Sequence, residues 1–287
     1  MPGWTGVLCI AQQVRESTSM EFLELSGWNH QMDLRGDNTK RFTGRVDAYR
    51  RYRSRYPREV LGLLREYCRL TPTSVIADIG SGTGMLAEVF LENGNKVFAV
   101  EPNSAMRSAC KELEASHSSL CCIEGTAEAT TLPARSVDFV TAGRAFHWFK
   151  HEECRSEFRR ILRPGGWVMF ASLGRRKGTE PLLQDFDNLL MRYPDYASIR
   201  AQFDMEEACR KFFVNCEIHR AEFPDVQNLS YEELEGQTLS FSMIPLPEDA
   251  GFPAMRRALK DYFSRYQSGG RVPVPTDCTI YVGQLRS

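Results

Sequence analysis

The chain has 287 residues and nearly balanced charge, 36 lysines and arginines against 37 aspartates and glutamates, giving a formal net charge of -1. That balance offers no global attraction to nucleic acid or to an anionic membrane, and nowhere do about 18 apolar residues run together as a spanning helix requires. Nine cysteines are scattered without a Cys-x-x-Cys spacing, Cys121 and Cys122 being adjacent, so neither a metal site nor a disulfide framework is indicated and a reduced, cytoplasmic setting is expected.

Residues 1–38 show no sustained period. Phe22, Leu23 and Leu25 fit one amphipathic turn that Gly27, Gly36, Asp37 and Asn38 break, so a poorly ordered extension is expected, with Met32 as an alternative start. Val7 to Ala11 is too short, and has too little positive charge before it, for a secretory signal. From Lys40 to Arg58 the chain is densely basic, with arginines interleaved with Phe42, Tyr49, Tyr52 and Tyr56. Two readings stand at this point: a nucleic-acid contact, or a solvated helix face with snorkelling arginines.

Val60, Leu61, Leu63, Leu64, Tyr67, Cys68 and Leu70 form an apolar stripe at helical spacing that ends before Pro72. The stretch that organises the chain follows. Val75 to Ile79 is short and β-branched, as a buried parallel strand is; Gly80, Gly82 and Gly84 break it, and Met85, Leu86, Val89, Phe90 and Leu91 recur at helical spacing. Such a loop lets a ligand lie against bare main chain at a helix N-terminus. A dinucleotide fingerprint would need its last glycine at position 85, which is Met85. Asp78, two residues before the first glycine, suits an ammonium or a hydroxyl better than a pyrophosphate.

This run, apolar-apolar-Asp-x-Gly-x-Gly-x-Gly, resembles the first motif of the class I S-adenosylmethionine-dependent methyltransferases. The resemblance implies an α/β fold: a doubly wound, seven-stranded, mostly parallel Rossmann-like sheet with S-adenosyl-L-methionine as cofactor. Phe42-x-Gly44, Tyr49, and Tyr52-Arg53-x-x-Tyr56-Pro57 are similar to the leading segment of small-molecule methyltransferases related to trans-aconitate methyltransferase, where it covers the cofactor. Here Arg53-Ser54-Arg55 stands where many relatives have Arg-Pro-Gly.

Later features occur in the order the resemblance implies. Val97 to Val100 is a second strand, and Glu101 at its tip can accept hydrogen bonds from vicinal ribose hydroxyls. Asp78, Gly80, Ser81, Gly82, Gly84, Glu101, Pro102 and Asn103 are thus the expected cofactor residues. After the strand Leu120 to Glu124, the turn Gly125 to Glu128 is the implied adenine contact through Thr126 and Ala127, with Thr126 where the family often has aspartate; alternatively it is a plain loop with Glu128 as a cap. Ser136 to Gly143 is the fourth strand, running into Arg144-Ala145-Phe146-His147-Trp148-Phe149 at the edge where doubly wound sheets bind ligands. His147 is the candidate general base or else a packing histidine. Tyr52, Arg53, Arg144, His147 and Trp148 are the candidate acceptor residues.

A helix over Cys154 to Leu162, Arg163-Pro164-Gly165-Gly166 and a strand over Trp167 to Ser172 follow. Beyond Gly178 come helical segments broken by prolines, and strands over Cys216 to Phe223 and Thr276 to Leu285. The expected organisation is an extension over 1–38, a cofactor-binding core over 39–175, and a helical cap over 176–287 with the last two strands. The expected activity is methyl transfer to a small molecule such as a carboxylate. An RNA methyltransferase using segment 41–58 and a catalytically silent cofactor-binding protein are the alternatives, since fold alone does not fix function.

Overall fold

The computed structural model describes residues 44–193, 196 and 203–285. The extension, Met32, Arg41 and Phe42 lie outside them. Seven strands form one sheet: β1 (Val75–Ile79), β2 (Lys96–Val100), β3 (Leu120–Ile123), β4 (Val137–Gly143), β5 (Leu162–Arg175), β6 (Ile218–Leu229) and β7 (Val272–Gly283). Their order is β3-β2-β1-β4-β5-β7-β6. The first five pair in parallel, and β7 runs antiparallel between β5 and β6. The chain reverses direction between β1 and β4, so the ends of these strands open a crevice at that switch point.

Helices cover both faces because neighbouring strand residues point opposite ways. On one face Ile76, Phe139 and Met169 pack with Val60 and Leu64 of α2 (Glu59–Cys68) and Phe90 of α3 (Met85–Glu92). On the other Ala77, Val140 and Phe170 pack with Phe158 of α5 (His151–Ile161) and Phe212 of α7 (Met205–Phe212). In sequence α1 (Val46–Tyr52) precedes α2, and α4 (Ser104–Glu114) connects β2 to β3. A third cluster forms the cap: Phe186 of α6 (Pro181–Leu190), Leu234 of α8 (Tyr231–Leu239), Met255 and Leu259 of α9 (Phe252–Tyr266), and Val274 at the outer end of β7. Among the described residues no helix is long and apolar enough to cross a membrane.

Three strands are longer than the sequence indicates, and proline explains each difference. β5 begins at Leu162 and passes through Pro164-Gly165-Gly166, with Gly165 at φ +79 and a register shift against β4. β6 continues past Pro224, which an edge strand tolerates because its outer donors need no partner. β7 starts at Val272 and carries Pro273 and Pro275 beyond the last residue paired with β5, where no amide is needed on that side.

At the start of β1 the Asp138 carboxylate accepts the Val75 amide at 2.7 Å and the Arg163 guanidinium at 2.9 and 3.0 Å, joining β1, β4 and the β5 bulge. Asp138→Ala should cost about 1.5–3 kcal/mol, the range for hydrogen bonds involving a charged group. The measurement is urea unfolding, with a lower midpoint and an unchanged slope; an unchanged midpoint shows that water replaces these bonds at no cost.

Candidate active site

All three loop glycines adopt left-handed backbone, at φ +64, +57 and +87 for Gly80, Gly82 and Gly84. L side chains resist these angles, which is why glycine stands there. Gly84 donates to the Ser81 carbonyl at 2.9 Å, and Gly80 and Ser81 donate to the carbonyl of Val100 at 2.9 and 3.2 Å. A Cβ at Gly80 would meet that of Ala145 at 2.7 Å, whereas one at Gly82 would meet nothing within 4 Å. The loop is therefore packed against the tip of β4 on one side and open at Gly82.

Glu101 closes the loop from β2. One carboxylate oxygen accepts the Gly82 amide and the other the Asn103 amide, both at 2.8 Å. Asn103 in turn caps α4 by accepting from Met106 at 2.9 Å, and Arg107 donates to the carbonyls of Glu101 and Pro102. Burial raises the pKa of Glu101, and the two amides oppose that rise.

Asp78 is fully buried. One of its oxygens accepts from Thr141 at 3.0 Å, and the other is buried without a partner. Loss of water pushes its pKa up to about 7, against the Thr141 hydrogen bond. The hydroxyls of Ser81 and Thr83 are likewise buried without partners. A carboxylate oxygen and two hydroxyls with no partner around an open stretch of main chain fit a ligand bearing an ammonium and hydroxyl groups, since buried polar groups are ordinarily satisfied.

Arg144, just past β4, has left-handed backbone at φ +55, an uncommon state for a non-glycine residue and one that clusters at functional sites. Its guanidinium reaches the Met85 sulfur at 3.5 Å and stands over the rings of Tyr49 and Tyr56, 5.2 Å from each centroid. Arg53 stands over Tyr49 at 5.1 Å and Phe241 at 4.4 Å, and donates to the Ser240 carbonyl at 3.3 Å. The Nε atoms of both arginines are buried without a partner, and neither arginine has an ion pair among the described residues. Burial first, and Arg144 second, lower the pKa of Arg53 to about 10.

His147 occupies a 3-10 turn (Phe146–Trp148), its ring 4.5 Å from that of Trp148 and 5.7 Å from that of Phe203. Among the described residues its ring nitrogens have no hydrogen-bond partner. Burial, with Arg53 nearby, pushes its pKa down to about 4, away from the value near 6.5 that a histidine base at neutral pH would need.

The fold thus brings Asp78, the glycine loop, Glu101, Asn103, Arg53 and Arg144 around one strand edge. Two expected residues have their polar groups engaged locally or by the cap. Tyr52 packs on Gly236 of α8 and donates to Glu232, so its ring serves the cap interface. Thr126 turns its hydroxyl to its own turn, accepting from Ala129 at 3.2 Å, while Ala127 is buried beside it. Glu128 accepts from Lys150 at the start of α5. Sequence reasoning missed Thr141, Tyr49 and Tyr56 as site neighbours. A threonine inside an apolar strand was the one available signal for Thr141, and the tyrosines stood in the quoted segment without a role.

Residues 77–170 match a family described as a methyltransferase domain. Over 207 residues, 66% of this chain and 81% of the relative, the sequence is 26% identical to an uncharacterised methyltransferase of Schizosaccharomyces pombe. A protein described as a type II methyltransferase from Anaeromyxobacter dehalogenans superposes with a TM-score of 0.55 at 20% identity, covering 81% of this chain and 97% of that one. An N-methyltransferase of Haemonchus contortus in complex with phosphomonomethylethanolamine and S-adenosylhomocysteine gives 0.52 at 16% identity, covering 87% of this chain and 58% of that one. At such identities the structural likeness speaks for the fold. The fold is the class I, Rossmann-like methyltransferase fold, and the matched domain and the relatives support an S-adenosylmethionine-dependent methyltransferase. It is an enzyme, with its glycine loop and Asp78 inside the matched segment.

The Asp78 carboxyl supplies a test that needs no ligand. Unfolded, it ionises near about 3.9; folded, its pKa is about 7. Ionised burial therefore costs stability that is absent below about pH 4, grows as pH rises and is full above about 7. Asp78→Asn should raise the melting temperature more at about pH 8 than at about pH 5. An equal shift at both pH values shows that the carboxyl ionises normally.

Proposed function

We propose that the enzyme methylates a small molecule bearing a carboxylate, with Arg53 and Arg144 holding that group beside the cofactor. The carrying observation is the pair of guanidiniums that have no counter-anion among the described residues, at the edge of the glycine loop. Partly buried cations of this kind are costly unless a partner arrives, and arginine matches a carboxylate through paired hydrogen bonds.

When bound, the cofactor supplies a methyl group already activated on a sulfonium. Asp78 receives its ammonium, Gly80 to Gly84 line it with main chain, Glu101 accepts from the ribose with Pro102 and Asn103 alongside, and Thr126 and Ala127 border the adenine. The open space at Gly82 and the unpartnered Asp78 oxygen support this assignment, as does the S-adenosylhomocysteine in the Haemonchus neighbour. On this reading the described residues up to 175 belong to the cofactor half expected over 39–175, and those from 176 onward to the cap with the last two strands expected over 176–287.

The chain's remaining task is to orient an ionised nucleophile and exclude water. A carboxylate needs no base, and a histidine whose pKa lies about 4 is a weak one. His147 and Trp148 therefore shape the acceptor site. RNA recognition by the basic segment loses support because Arg50, Arg55 and Arg58 pair with Glu112, Glu88 and Glu92, and Arg45 is buried against the cap carbonyls of Leu239 and Ile244.

Two measurements test this reading. Glu101→Ala should weaken S-adenosylmethionine binding by about 1.5–3 kcal/mol in calorimetry; unchanged affinity removes the ribose assignment. At saturating cofactor, turnover should be flat between about pH 5.5 and 8, and His147→Ala should lower it by less than about a hundredfold, below the usual span of a general base. An ionisation near about 6.5 with a larger loss restores the histidine as base and points to a hydroxyl or carbon acceptor.

A further inference from the structure

A third arginine has the same character as the first two and lies deeper in the cap. Arg175 ends β5; its Nε is buried without a partner, and among the described residues it has no ion pair. Its guanidinium lies 3.3 Å from the Phe186 ring centroid, meets the Tyr262 hydroxyl, and reaches the Gln237 side-chain oxygen only through a long hydrogen bond of 3.5 Å. Directly opposite on β7 stands Thr276, 2% exposed, whose hydroxyl is also buried without a partner. Opposed residues on neighbouring strands share a face, so a guanidinium N–H and a hydroxyl, both unsatisfied, front the same space. Among the described residues such a pair has neutral neighbours, Gln237 and Tyr262, and no anionic acceptor.

The location ties this pair to the acceptor site. Ala171, Leu173, Cys278 and Ile280 lie on the sheet face that packs with Tyr56 and Met85, and Arg175 and Thr276 continue that alternation outward. Arg144 donates its amide to the Ala171 carbonyl. Arg175 is four residues farther along the same strand, roughly 13 Å at strand rise. From the cap side, Arg53 bonds the Ser240 carbonyl while Arg175 meets Gln237, positions three apart on one side of the final turn of α8. Arg144, Arg53 and Arg175 therefore form a row from the tip of β4 into the cap, with no carboxylate among the described residues paired to any member.

We propose that Arg175 and Thr276 form a second anion-recognising subsite, so that the acceptor is elongated, with one acidic group at Arg53 and Arg144 and a second oxyanion at Arg175. This rests on the carboxylate reading above and adds the length and the second charge of the acceptor. Gln237, held by its amide to Gln227 at 3.0 Å and to the Tyr52 carbonyl at 3.3 Å, keeps the Arg175 side chain aimed into the row.

The experiment compares the full-length enzyme with Arg175→Met and Thr276→Val. The probes are straight-chain dicarboxylates of roughly four to eight carbons, which span one helical turn up to the strand distance, with length-matched monocarboxylates and ω-phosphono carboxylates. Wild type should prefer one length of two-headed acceptor, and the carboxylate and phosphono series tell which oxyanion the subsite takes. Arg175→Met should raise KM for that acceptor about tenfold or more, with kcat, monocarboxylate activity and cofactor affinity unchanged. Thr276→Val, nearly isosteric, should give a smaller loss of the same kind. Equal use of one-headed and two-headed acceptors by wild type overturns the second subsite alone. Loss of activity on every acceptor together with a lower melting temperature in both variants overturns it too, making the pair structural. If wild type binds the cofactor but methylates no acidic probe, the carboxylate reading falls as well.

Discussion

The two hydrogen bonds of the Glu101 carboxylate hold the active-site edge in register. By accepting the Gly82 and Asn103 amides, one side chain joins the glycine loop, the tip of β2 and the capped start of α4. Three left-handed glycines give the loop its path, but nothing local fixes such a flexible segment against a neighbouring strand. A buried carboxylate with both oxygens engaged does so, because leaving it unsatisfied would be costly. Asp78 is the contrasting case: equally close to the loop, it keeps one oxygen without a partner and so remains available to a ligand.

Electrostatics divide the site into two halves. Around the glycine loop the buried charges are acidic, Asp78 and Glu101; past the tip of β4 they are cationic, Arg53, Arg144 and Arg175. In a folded chain such side chains normally find each other, yet these arginines stack on Tyr49, Tyr56 and Phe186, and no carboxylate among the described residues pairs with them. Aromatic faces hold a guanidinium in place while leaving its N–H groups free to donate. That arrangement pre-orients the cations without neutralising them, as the proposed recognition of an acidic acceptor requires.

The cationic half exists only because segments far apart in sequence are clasped together. Arg45 donates to the carbonyls of Leu239 and Ile244, and Gln237 donates to the Tyr52 carbonyl. Gly236 admits the Tyr52 ring where any side chain would collide, a Cβ there lying 2.2 Å from the ring. The leading helix α1 is therefore seated on α8 of the cap, and Arg53 and Ser54 are carried to the site on that support. Cap substitutions can thus reshape the cationic half while leaving the glycine loop untouched.

Local sequence determined the cofactor half. Strand, glycine loop and helix are written in consecutive residues, as are the Glu101 tip and the fourth strand running into Arg144, because backbone angles, strand alternation and helix spacing are short-range properties. Even the proline-bearing strands were legible as strands, though not in length, since tolerance of Pro224, Pro273 and Pro275 depends on which strand edge is left without a partner. Tertiary structure alone decided what each polar side chain would meet. Thr141 reaches Asp78 across 63 positions, Arg175 and Thr276 become neighbours only through antiparallel register, and His147 loses its basicity only because the fold buries it beside Arg53. Burial and long-range register set those outcomes, and neither is carried by the periodicity of a local segment.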